Sequence, residues 1–262
     1  MESKIARAIE MDYSPVAVIW TDEKPEGALQ FKEGSRACVV AMLTAAAKGK
    51  TAVFDRKTFG CPGGGTGLGF GNQYIYFPGG IEYFLSTGNP EFCKTEMGQN
   101  IAKGLPHLEH GERYFKSPEA AAKFVEALPL LDVPTEYIVL KPLDKLDAGE
   151  KPKVVVFLVK PDQLSALVVL ANYGRGGNYN VTAPMGAGCH TFGIFPYSED
   201  ERETPKAVIG MFDISARPKV DKDILSFSVP YKMFEEMENN VEGSFLEQDP
   251  WLKVKERNKK DQ

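Results

Sequence analysis

Residues 59–71 read Phe-Gly-Cys-Pro-Gly-Gly-Gly-Thr-Gly-Leu-Gly-Phe-Gly, seven glycines in thirteen positions. Glycine loses the most backbone freedom on folding and has no side chain to bury. The expectation is therefore neither a packed helix nor a central strand. A run of this kind belongs where the backbone turns sharply or comes very close to something else. Cys61 sits near its front.

The run follows an apolar segment, Thr51-Ala-Val-Phe54, and contains G-x-G-x-x-G-like fragments. A dinucleotide fingerprint also needs a helix opening at the last glycines and an acid about twenty residues on. Here Asn-Gln-Tyr-Ile-Tyr-Phe-Pro-Gly-Gly follows, which reads as an aromatic strand and a turn. No Lys-Ser/Thr pair closes the glycines, so the run is not a P-loop. Backbone N–H groups over 63–71 could still hold an anion.

A second glycine-rich segment carries a cysteine, Ala183-Pro-Met-Gly-Ala-Gly-Cys-His-Thr-Phe-Gly193. Both are preceded by a strand and a helix of about ten residues, at 16–70 and 154–195. The apolar, β-branched runs Val16–Trp20, Val154–Val159 and Tyr137–Leu140 read as strands. Ser117-Pro-Glu-Ala reads as a helix start, with a serine cap and proline in the first turn. The pattern predicts an α+β (or α/β) fold with a mixed sheet and flanking helices. It is expected as a single domain over 1–262, or as two intertwined, weakly similar halves, about 1–128 and 129–262. The basic tail, 253–260, reads as a solvated, frayed end.

Net charge is −5, with 31 basic against 36 acidic residues, which argues against a general nucleic-acid surface. The longest apolar stretches are too short to span a membrane. With no apolar signal region at the N-terminus, a cytoplasmic protein is expected, and its four cysteines as thiols or ligands.

Cys61 and Cys189 lie among glycines, and Cys38 opens a small-residue helix beside Arg36. Glycines next to ligand cysteines suit an iron–sulfur cluster, leaving room for inorganic sulfide and free amides to bond it. From spacing alone, without a C-x-x-C pair, the same cysteines read first as buried core thiols, because free cysteine is among the most buried residue types. Cys93 has no glycine setting. His190 reads as a ligand, an acid–base group or a hydrogen-bonded structural histidine. His107 and His110 read as a surface loop rather than a metal pair. Arg217 reads as an anion holder or as a structural partner of Asp213.

Arg36-Ala-Cys38, Gly60-Cys-Pro-Gly-Gly-Gly-Thr-Gly-Leu-Gly69, Pro161-Asp-Gln163, Gly188-Cys-His190 and Ser215-Ala-Arg-Pro218 together resemble the DUF169 family, uncharacterised proteins of anaerobic bacteria and archaea. The resemblance covers most of the chain and implies no activity by itself. It gives Cys38, Cys61 and Cys189 fixed pattern positions, with Cys93 peripheral. In some relatives a further cysteine stands on the strand before the Ala-Arg motif, where this chain has Met211.

The resulting expectation is an iron–sulfur protein, [4Fe-4S] in type, acting on a small molecule. Cys38, Cys61 and Cys189 would be the ligands. Gly60, Gly63, Gly64, Gly65, Gly67 and Gly188 would give clearance and amides, and His190 and Arg217 would stand near the substrate. A small-molecule substrate or an electron donor is the expected partner, with neither nucleic acid nor membrane, and a homo-oligomer is left open. Two alternatives remain: a metal-free small-molecule or nucleotide binder using the 63–71 backbone, and a thiol enzyme with Cys61 as nucleophile.

Overall fold

Strand β4 (Val154–Val159) is apolar at every position and buried along its whole length. A strand of that kind needs cover on both faces. The computed structural model, which describes residues 1–260, supplies it. Val154, Val156 and Leu158 face one hydrophobic cluster, and Val155, Phe157 and Val159 face another.

The chain opens with α1 (Lys4–Ala8), β1 (Val16–Thr21), α2 (Val39–Ala47), β2 (Ala52–Phe54) and α3 (Pro62–Leu68). A helical insert follows: α4 (Ile81–Phe84), α5 (Pro90–Cys93), α6 (Glu96–Ala102), α7 (His107–His110) and α8 (Pro118–Glu126). Then come β3 (Tyr137–Pro142), β4, α9 (Pro161–Tyr173), β5 (Val181–Thr182), α10 (Ile194–Asp200), β6 (Ala207–Gly210), β7 (Leu225–Pro230), α11 (Tyr231–Asn239) and α12 (Asp249–Lys260).

The strands form one mixed sheet in the order β2-β3-β1-β4-β7-β6-β5. All neighbours are antiparallel except β5 and β6. The α+β architecture with a mixed sheet and flanking helices is thus as the sequence predicts. Ile5, Leu167, Phe234 and Trp251 place α1, α9, α11 and α12 on one face. Val40, Leu43, Leu68 and Ile194 place α2, α3 and α10 on the other, which carries the glycine-rich segments.

Three expectations are corrected. The glycine run is a helix. Cys61 caps it, Pro62 occupies its first turn, and Gly69 ends it in the left-handed conformation at φ 97°. Each interior glycine costs about 1 kcal/mol relative to alanine, so tertiary packing must select this helix. A Cβ at Gly64 would lie 2.5 Å from the Phe59 carbonyl oxygen and 2.7 Å from Val39. One at Gly67 would lie 2.8 Å from the Cys189 sulfur. Only a bare backbone fits between these neighbours. The aromatic residues that follow form a 3-10 turn, Gln73–Tyr76, rather than a strand.

The basic tail is docked rather than frayed. Trp251 is buried, and its indole N–H donates to the Ala8 carbonyl at 3.2 Å. Lys255 pairs with Glu10 at 3.0 Å, and Arg257 with Asp162. Of the basic residues that suggested a solvated end, Lys255 and Arg257 meet acidic residues just after α1 and on α9.

Candidate functional site

Three segments far apart in the chain bring their cysteines to one cavity of about 520 Å³. Cys38 is the N-cap of α2 and Cys61 the N-cap of α3. Cys189 sits in the turn before α10, with Gly188 beside it on the cavity wall. The glycines set this approach. A Cβ at Gly193 would overlap the Gly67 carbonyl oxygen, and one at Gly188 would lie 2.8 Å from Val40. Gly60, at φ 79°, passes so near the Ala37 carbonyl that no side chain fits. A Cβ at Gly65 would lie 2.7 Å from Gln73, whereas at Gly63 the nearest atom, the Tyr74 hydroxyl, is 3.2 Å away.

The three thiols share one electrostatic environment. Burial raises the Cys61 thiol above its ordinary range, offset in part by the Gly64 amide, which donates to Sγ at 3.3 Å. Burial also raises Cys38, with the Val40 and Ala41 amides acting against it. Cys189 is pushed up furthest, by burial first and then by Cys61 and Asp213. Its thiol donates to the Gly63 carbonyl at 2.9 Å.

The insert supplies groups that the sequence reading missed. Glu112 lines the cavity and is pushed up to about 7 by burial and by Asp213. Asp213, also on the wall, accepts from the Gly188 amide at 3.2 Å and from the Ser215 hydroxyl at 2.7 Å. Tyr114 accepts from the Ser215 amide at 3.0 Å. The aromatic rings of Phe77, Phe84, Phe115 and Phe124 close much of the remaining wall. Nothing in the spacing of Glu112 or Tyr114 marks them, because only the folded insert turns them inward.

His190 and Arg217 are not on the cavity wall. His190 is fully buried behind Tyr74, whose hydroxyl meets its Nε2 at 2.9 Å. Burial pushes the imidazole down to about 3, so it is neutral. The Arg217 guanidinium donates to the carbonyls of Asp221, Lys222 and Ile224, bracing its own loop. Cys93 lies at the end of α5, off the cavity, and His107 and His110 are exposed on α7.

A family model described as "Uncharacterised ArCR" matches residues 4–240. The chain belongs to that family, DUF169. The DUF169 match spans all three cavity cysteines and the whole helical insert, and stops short of α12. No curated protein and no solved structure matches the chain. No helix among the described residues is long and apolar enough to cross a membrane.

The donor set fits a soft metal centre. Thiolates are its natural ligands, amides already face two of the sulfurs, and the acidic surroundings favour a cation. Among the described residues no three His, Cys, Asp or Glu side chains are grouped as a single ion requires. Each cysteine of a cubane binds a different iron, so its thiolates stand farther apart than the ligands of one ion.

Proposed function

We propose that this DUF169 protein binds an iron–sulfur cluster of the [4Fe-4S] type through Cys38, Cys61 and Cys189 and acts on a small molecule beside it. The observation that carries the reading is the arrival of three cysteines, from three separate segments, at one cavity. With three protein ligands, a bound cubane leaves one iron open as a Lewis acid toward a substrate oxygen or sulfur.

The chain's own groups divide the remaining work. The Gly64 amide bonds the Cys61 sulfur and favours its thiolate. Asp213 fixes the Gly188 amide and so orients the Cys189 turn. Glu112, with its pKa near neutrality, holds or gives up a proton inside the cavity. The aromatic wall excludes water from the space beside the sulfurs. A reducing cytoplasm suits these thiols, and an electron donor is the partner such a centre calls for.

The two alternatives have less behind them. The amides of Gly64, Gly65, Gly69 and Gly71 already bond within the protein, which leaves the 63–71 backbone a poor anion receptor. Burial raises the Cys61 thiol, the reverse of what activates a nucleophile.

Strictly anaerobic purification tests the proposal. Roughly four iron and four acid-labile sulfide per chain are expected, with a broad visible absorption lost in each of Cys38→Ala, Cys61→Ala and Cys189→Ala. Cys93→Ala should retain it. A protein free of iron and sulfide, also after anaerobic reconstitution, would overturn it.

A further inference from the structure

Tyr74 lies in the short turn after the glycine helix and lines the cavity, and its hydroxyl stands 3.2 Å from where a Cβ on Gly63, also on the wall, would lie. Behind it, the Ala187 amide donates to His190 Nδ1 at 3.3 Å. Nδ1 is therefore the bare nitrogen, and the ring proton sits on Nε2. That proton is donated to the Tyr74 oxygen at 2.9 Å. The phenol's own hydrogen then has no acceptor among the described residues. Tyr114 differs: its hydroxyl accepts from the Ser215 amide and also meets the Ser215 side chain.

The rest of the wall limits what can accept the Tyr74 hydrogen. Phe77, Phe84, Phe115 and Phe124 favour an apolar body. Glu112 and Asp213 face the same space and disfavour an anion. The basic residue of the wall, Arg36, is exposed to solvent.

We infer that the cavity receives a small, neutral, largely apolar molecule that presents one oxygen acceptor to the Tyr74 hydroxyl, with His190 as the positioning residue behind it. The inference rests on the cavity being the site of action, and it needs no cluster. Tyr74 is the specificity group: it rewards a carbonyl-type oxygen and gives nothing to a hydrocarbon of the same shape.

Three probes of similar size separate the possibilities: acetophenone, cumene and benzoate. Binding is measured by titration calorimetry on full-length protein, with iron determined on the same samples. Acetophenone should bind most tightly and benzoate least. In Tyr74→Phe, acetophenone should weaken about tenfold, the effect of one hydrogen bond, while cumene binding stays unchanged and reports an intact cavity. Nitrogen-15 shifts of the His190 ring should show the Nε2–H tautomer, which a merely space-filling histidine would not require.

Benzoate binding as tightly as acetophenone, an unaltered acetophenone-to-cumene ratio in Tyr74→Phe, or no binding of any probe would overturn the inference. An Nδ1–H tautomer would remove His190 from it. Iron without probe binding sinks this inference alone, and probe binding without iron sinks the cluster alone.

Discussion

The Cys189 thiol donates to the Gly63 carbonyl oxygen at 2.9 Å, tying the two glycine–cysteine segments together across the cavity. The bond exists only while the sulfur keeps its proton. A thiolate would meet the carbonyl as one negative end against another. Loading of the proposed cluster would therefore take the proton and release this contact.

Thiol chemistry should follow. Burial raises Cys61 and Cys189, so in the metal-free protein both should alkylate slowly with iodoacetamide at pH 7. Their rates should climb as pH rises past the ordinary thiol range, and site-resolved mass spectrometry reads this directly. Rapid labelling of Cys61 at pH 7 would show a low-pKa nucleophile instead.

Packing around the glycine helix should be equally sharp. Gly67→Ala drives a Cβ to 2.8 Å from the Cys189 sulfur and should cost about 1–3 kcal/mol. Gly176→Ala has open space around it and should stay within about 0.5 kcal/mol of the parent. Urea denaturation of the two variants makes the comparison. Equal stabilities would contradict the backbone contact described above.

Glu112 sets a pH dependence. Its carboxyl is raised from 4.5 to about 7 in the fold. Between those values the folded chain holds a proton that the unfolded chain has lost. Stability from this group is present below about pH 4.5 and declines as pH rises toward 7. Glu112→Gln cannot ionise and should flatten that part of the stability profile in thermal melts. An unchanged slope in the variant would rule this out.

Arg217 should behave as a brace. Arg217→Lys loses the forked contacts to three carbonyls and should destabilise the fold by about 1–2 kcal/mol. Iron content and probe binding should be untouched. Loss of binding at full stability would return Arg217 to the site.

The strands were legible because their residues act locally. Val154–Val159 is β-branched and apolar enough to read as a central strand, and it lies in the middle of the sheet. Ser117 caps its helix as its spacing implies, accepting from the Ala120 amide. The glycine helix was illegible because intrinsic propensity argues against it. Its cause lies in Phe59, Val39, Gln73 and Cys189, which approach only in the folded chain. Cysteine among glycines singled out Cys61 and Cys189, and both line the cavity. Position alone could not tell that Arg217 turns to its own loop, or that Glu112 turns inward from an insert of short helices.

That insert has a further consequence. The sulfurs are carried by α2, by α3 and by the turn before α10, on the face of the sheet. Phe84, Glu112, Tyr114, Phe115 and Phe124 all come from one contiguous stretch between α3 and β3. The sulfur-bearing frame, with Tyr74 beside it, and the aromatic and acidic cover of the cavity thus come from separate stretches of chain. Exchanging residues 81–128 between relatives would reshape the chamber while leaving the three sulfurs and Tyr74 in place, so the size and shape of what fits can change independently of the cysteine frame.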